Sequence, residues 1–332
     1  MKELLIESPV STFRTLDDRV QYLFTHLDEF DHIVRNKSGT GHYYKNELYE
    51  KTFVHAKVLD ATAVVVNNDI FRTSPFMVLD EIMTQYFNYN PPFMTRYRKK
   101  ENVSKYYTLS LLERVEYTYG ARFNEFNQFE HLISLFKDRL ETKRGVISIY
   151  TPYDTDSNRT DVPCTLMYNF LIRHNTLDAF VTYRSHDLFA GFRIDYVFLS
   201  FIMQYLVAIL RAELGVELKV GSISTFDTSL HFYPRSAITD ITRVPLSFKS
   251  DKRQFTIFTD KLLTTKDIVE DMTRLKTIEE YAHSGSQTKS SSVLETVKDP
   301  TVRDFARYII KKNHLVATPF ETKSMWWENG KL

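Results

Sequence analysis

The sequence predicts an α+β fold in which a mixed β-sheet carries long packed helices. Three observations predict it. Apolar and β-branched runs of strand length recur at residues 145–150, 166–172, 179–183, 219–226 and 230–233. Apolar residues at helical spacing fill 74–87, 126–140 and above all 196–214, which Gly215 closes. The 332 residues are 43% hydrophobic with only 9 Gly and 10 Pro, enough apolar material for a sizeable core.

In chain order, residues 1–50 are polar and mixed, with helical periodicity over 16–30 and a turn-rich stretch at 36–41, and read as an N-terminal extension. The run Val64-Val65-Val66 suggests a strand within 54–66. The helix over 74–87 opens on Ser-Pro and holds Glu81 in its interior, and the aromatic, basic segment 88–105 with Pro91-Pro92 reads as an irregular loop. Residues 51–236 form the expected central domain. Beyond them, 237–332 turns to charged helical patterns, a C-terminal helical extension whose polar tract at 283–292 is expected to be a mobile loop.

Charge narrows the partners. Lys+Arg of 43 against Asp+Glu of 42 leaves a net charge of +1, which argues against polymeric nucleic acid, whose phosphates demand a basic surplus. The longest apolar stretch, 196–210, is interrupted by Ser200 and Gln204, and no apolar leader opens the chain, so no membrane partner is expected and the location reads as cytoplasmic, or host cytoplasm for a viral protein. Nucleotide-loop and HExxH motifs are absent, and a single cysteine cannot make an internal disulfide or a multi-cysteine zinc site, so no metal is expected.

That cysteine, Cys164, follows Asp161-Val162-Pro163 and precedes an apolar strand. Alone it is as much a packed small hydrophobe as a reactive thiol. Twenty residues on, Tyr183-Arg184-Ser185-His186-Asp187 leads through Gly191 to Asp195-Tyr196, a dense ionisable cluster between a strand and a helix. Arg184 with Ser185 offers the forked donor and hydroxyl that a phosphomonoester takes, and a cation near Cys164 would favour its thiolate. Isolated, the same residues would read as a surface Arg-Asp network.

They are not isolated. In order, Tyr117-Thr118-Tyr119-Gly120, Lys143-Arg144-Gly145, Pro163-Cys164-Thr165, Arg184-Ser185-His186-Asp187 with Gly191 and Asp195, and Ser229-Leu230-His231-Phe232-Tyr233 resemble the thymidylate synthase superfamily, with Glu81 at its helical glutamate. The resemblance covers roughly residues 51–235. Thr165 where synthases carry His, Asp195 where they carry Asn, and Gly191-Phe192-Arg193 resemble the phage deoxycytidylate hydroxymethylase branch. An Asn amide can donate to uracil O4 and accept from N3–H, whereas a carboxylate only accepts, which suits the exocyclic amine of cytosine with N3 protonated.

The resemblance implies a thymidylate synthase-like fold and an obligate homodimer through the sheet. It implies a pyrimidine nucleoside monophosphate as substrate and 5,10-methylenetetrahydrofolate as co-substrate. Cys164 would attack C6, Glu81 would order water and move protons, and Asp195 would read the base. Arg184 and Ser185 would hold the phosphate, with Lys143 and Arg144 reaching across from the partner subunit and Lys51 as the upstream cation, ahead of Arg35 and Arg72. His231 and Tyr233 would bind the sugar and Asp187 would face the folate; without the resemblance, His231 and Tyr233 are ordinary strand residues and Glu81 a helix-surface carboxylate. The expected activity is hydroxymethylation of dCMP. The alternatives are a dUMP methylase or hydroxymethylase, a CMP hydroxymethylase, and a catalytically silent nucleotide-binding or scaffold relative.

Overall fold

Alternation of side chains builds the sheet. In β5 (Thr165–Arg173) and β6 (Thr176–Tyr183) buried and half-buried positions mostly alternate, as in strands with one face on a core. The two are joined by His174 and Asn175, both at positive φ (50° and 56°), the backbone that a tight two-residue hairpin requires. The computed structural model describes residues 10–34, 47–66, 73, 75–87, 118–156, 162–189, 191–233 and 254–313. The segments 36–41 and 88–105, and the side chains of Arg35 and Arg72, lie outside them.

The long strand β8 (Lys219–Phe232) runs parallel to β6 and antiparallel to β3 (Glu47–Val58). The short strands β1 (Ser11–Phe13) and β2 (Asp31–Val34) both pair with β3, β4 (Val146–Ser148) pairs with β5, and β7 (His186–Asp187) with β8. The result is an eight-stranded mixed sheet whose main order is β1-β3-β8-β6-β5-β4. Residues 219–226 and 230–233, expected as two strands, form this single β8.

The helices are α1 (Leu16–Thr25), α2 (Pro75–Glu81), α3 (Tyr119–Asn124), α4 (Gln128–Asp138), α5 (Phe192–Leu214), α6 (Thr265–His283), α7 (Gln287–Leu294) and α8 (Pro300–Lys312). By length and apolarity α5 would cross a membrane, yet 17 of its 23 residues are buried, covered by the sheet and by α2, α4 and α6. A helix apolar all round is a core helix when neighbours enclose it. Its polar interruptions are satisfied: Gln204 donates to the Phe255 carbonyl and accepts from the Ile257 amide, both at 2.9 Å. Gly215 ends α5 at φ 64°, where a side chain would be strained.

Four sequence expectations are corrected. Residues 11–34, within the expected N-terminal extension, are built into the sheet and core: Leu16, Val20 and Leu23 are buried, and a Thr15–Asp18 capping box starts α1. The strands flanking α1 are too short to show alternation in sequence. The strand expected within 54–66 is met by β3 only as far as Val58, and Val64-Val65-Val66 is buried outside any strand among the described residues, in a packed connection pinned by hydrogen bonds between Val66 and Thr73. The polar tract at 283–292 is no loop: a turn at Gly285 leads into α7, which buries Ser290 with its hydroxyl on the Ser286 carbonyl. The helix expected over 74–87 is regular only to Glu81 and continues as a wider turn through Ile82–Tyr86.

The C-terminal helices complete the same core rather than standing apart from it. Asp271, buried in α6, accepts from the Lys298 and Asp299 amides, and Asp299 in turn caps α8.

Candidate active site

Cys164 stands half-buried in the turn before β5. The Arg184 amide, leaving β6, donates to the Cys164 carbonyl at 2.9 Å. The Arg184 guanidinium donates from Nε to the Pro163 carbonyl and from Nη2 to that of Val162, both at 2.8 Å, with Nη2 3.9 Å from Cys164 Sγ. Arg184 therefore fixes the cysteine loop and sets a cation beside the sulfur, a setting that favours thiolate. Ser185 follows it, half-buried.

A hydrogen-bond chain joins this loop to α5. The Thr165 hydroxyl donates to Tyr119 Oη at 2.9 Å, and Tyr119 donates to Asp195 Oδ1 at 3.2 Å. Burial, and then the nearby charge of Asp195, push the Tyr119 phenol well up, so it remains a neutral donor. Asp195 lies in the first turn of α5, where the helix dipole favours a carboxylate. The close approach of α3 to the wider turn Ile82–Tyr86 positions Tyr119: a Cβ at Gly120 would run into the Gln85 and Tyr86 carbonyl oxygens.

Glu81 is buried at the end of α2. Burial raises its carboxyl well above the ordinary range, and the charges of Asp80 and Asp195 add to the effect. A carboxyl held in this way can carry a proton where an exposed one would not.

His231 on β8 is buried beside Asp187 of β7, its register partner. Burial lowers its pKa, so the ring is neutral at pH 7, and Tyr233 sets an edge against it with centroids 5.2 Å apart. Asp187 accepts from the Phe189 amide at 2.8 Å. Lys143 and Arg144 are exposed on the connection before β4. Lys51 also stands apart: it pairs with Glu29 and sits opposite Leu230, one step from the Glu50–His231 pair and so on the other face of the strand.

Sequence reasoning missed the groups behind Asp195. His186 bridges Asp195 and Asp227, and Arg19 of α1 reaches Asp227 from the far side. A signal existed for each: His186 stands inside the Arg-Ser-x-Asp motif, Asp227 interrupts the buried face of β8, and Arg19 lies on the apolar stripe Leu16, Val20, Leu23.

The ordered cysteine loop, the Arg184 cation and the Asp195 carboxylate match a class that the motifs already resemble, and the thymidylate synthase family model matches residues 93–245. Among similar proteins, one from Methanothermobacter marburgensis named "Putative thymidylate synthase" is 26% identical over 176 residues, 52% of this chain and 75% of its own length. One of the same name from Methanococcoides burtonii is 29% identical over 122 residues, 36% of this chain and 53% of its own. The deoxycytidylate 5-hydroxymethyltransferase of Enterobacteria phage T4 is 31% identical over 119 residues, 34% of this chain and 48% of its own. The chain thus resembles the thymidylate synthase superfamily and its phage hydroxymethylase branch, and spans about half the length of most of these relatives.

Proposed function

We propose that this chain transfers a one-carbon unit to C5 of a pyrimidine nucleotide, converting dCMP to 5-hydroxymethyl-dCMP. The observation that carries the reading is Asp195: a carboxylate tied through Tyr119 and Thr165 to the cysteine loop, which supports its reading as the residue that meets the base. With two acceptor oxygens it complements an exocyclic amine and a protonated N3, and it opposes the O4 carbonyl of uracil.

Cys164 adds to C6, forming the S–C6 bond and making C5 nucleophilic. 5,10-Methylenetetrahydrofolate, the co-substrate, supplies the carbon. C5 bonds to that carbon, C5–H leaves as a proton, tetrahydrofolate departs as its N–C bond to the carbon breaks, water adds to the exocyclic methylene so left, and the S–C6 bond breaks to return the thiolate. Glu81, its carboxyl raised by burial, orders the water and moves protons. Among the described residues Arg184 Nη1 makes no hydrogen bond, which suits it to a phosphate oxygen beside Ser185. His231 and Tyr233 take the sugar, and Asp187 faces the folate. No metal enters this chemistry.

The active unit is a cytoplasmic homodimer joined through the sheet face away from the helices. That face carries Phe53, 67% exposed, with His55, Phe180 and Phe226 in ring contact, the kind of apolar patch that marks an interface. Lys143 and Arg144 then reach the partner's phosphate. Sedimentation should give a dimer that Phe53→Asp weakens; a monomeric parent protein would refute it.

The deciding experiment is mass analysis of the nucleotide after incubation with dCMP, CMP or dUMP and methylenetetrahydrofolate. A gain of one hydroxymethyl group on dCMP is expected. Product from dUMP alone, or from none of the three, would overturn the reading.

A further inference from the structure

A line of buried charges runs behind Asp195. His186 stacks on Tyr183 with ring centroids 4.0 Å apart and meets Phe192 at 4.9 Å. Its Nδ1 lies 2.6 Å from Asp227 Oδ1 and its Nε2 3.4 Å from Asp195 Oδ2. Asp227 Oδ2 accepts from Arg19 at 2.8 Å and from the Thr225 hydroxyl at 3.1 Å. Arg19 also donates to Thr225 at 2.8 Å and to the Tyr196 hydroxyl.

Buried ion pairs of this kind are weak devices for stability, because desolvation offsets the attraction. What distinguishes this one is where it opens. The side chains of Arg19, Asp227 and His186 are 0–1% exposed, whereas that of Asp195 is 10% exposed. The network therefore meets a ligand only through Asp195. Tyr119 holds one oxygen of that carboxylate, and the Nε2 of His186 stands against the other.

We propose that His186 is a positioning residue for base recognition: backed by Asp227 and Arg19, it orients the Asp195 carboxylate so that the site takes an aminopyrimidine in preference to an oxopyrimidine. The inference rests on the reading of Asp195 as the residue that meets the base. Tyr119 hydrogen-bonds one oxygen of the carboxylate, and His186 Nε2, buried and without a hydrogen bond, draws the other across 3.4 Å, so one orientation is favoured in which uracil O4 meets acceptors while the cytosine amine meets partners. Charge supports the geometry. Burial opposes protonation of His186, but Asp227 and Asp195 outweigh it and raise its pKa to about 9. The other ionisable groups facing it are Tyr183, neutral because burial pushes it well up, His231, neutral because burial lowers it, and Arg19 acting through Asp227.

The test is calorimetric titration of dCMP and dUMP into the full chain and into His186→Asn and Asp227→Asn. The parent should prefer dCMP, and each variant should lose roughly ten- to a hundred-fold in dCMP affinity, as for a lost charged partner, with dUMP affinity little changed. Equal losses for both nucleotides would mark a merely structural role and overturn the proposal. A parent that prefers dCMP beside variants that keep the preference would overturn the role of His186 alone; a parent without preference would overturn the reading of Asp195 and this inference with it. Nitrogen-15 histidine spectra of the unaltered protein do not depend on how the variants fold. One of its 10 histidines should hold protons on both ring nitrogens at pH 8, and a spectrum with none would refute the arrangement.

Discussion

Raising the pH should loosen this protein through a single ring. His186 is fully buried, and its pKa is raised from an ordinary 6.5 to about 9, because the charges of Asp227 and Asp195 overcome the cost of burying an imidazolium. The unfolded chain therefore gives up this proton near pH 6.5 while the folded chain holds it to about 9. The stabilisation is fully present below 6.5 and is lost as the pH climbs through 9. At about 1.4 kcal/mol for each pH unit the loss is roughly 3 kcal/mol. Urea denaturation at half-unit steps from pH 6 to 9.5 reads it directly. Asp299, raised to about 6 chiefly by burial, titrates below this window. Glu81 acts in the same direction as His186, since a carboxyl raised by burial also loses stability with rising pH, so the comparison must be with His186→Asn. The parent should fall roughly 3 kcal/mol further than the variant between pH 6.5 and 9. Parallel curves would refute the assignment of a buried imidazolium.

Cys164→Ala should abolish tritium release from C5-labelled dCMP and, as the side chain is only half-buried, cost no more than about 1 kcal/mol of stability; residual release would remove the thiolate from the mechanism. Glu81→Gln should slow turnover by about a hundred- to ten-thousand-fold and raise the urea midpoint at pH 8, because the amide removes the cost of burying a group that is ionised in the unfolded chain; unchanged turnover would leave Glu81 without a chemical role. Asp271→Ala strips the partners from the Lys298 and Asp299 amides and should cost roughly 3 kcal/mol in guanidinium denaturation; a cost under about 1 kcal/mol would show that the α6–α8 junction does not depend on it.

How much could be read without coordinates followed from distance along the chain. Cys164, Arg184 and Asp195 fall within one hairpin and the helix after it, so their motif spacing carried them together, and α5 was plain from its length of apolar sequence closed by Gly215. The pairing of Arg19 with Asp227 spans 208 positions and left no local trace. His186 was visible as a motif residue, but its role depends on that distant pair. The valines at 64–66 misled because burial, not strand pairing, selects them, and β1 and β2 take their order from the edge of β3 rather than from their own composition. The serine-rich tract became helical because its turns pack on α6 and α8, a tertiary gain that outweighs weak propensity.

Arg19 lies well outside residues 93–245, the stretch shared with the family model. Its guanidinium is nevertheless the only cation besides His186 recorded against Asp227 among the described residues. Trimming the chain to the shared stretch would leave that aspartate buried beside one histidine, and the strain would pass through His186 to the carboxylate that meets the ligand. The smallest working piece of this chain therefore reaches back past the recognisable segment to α1. Asp227 on β8 is thus neutralised in part from a helix more than two hundred residues away, and a substitution at either end acts on the other.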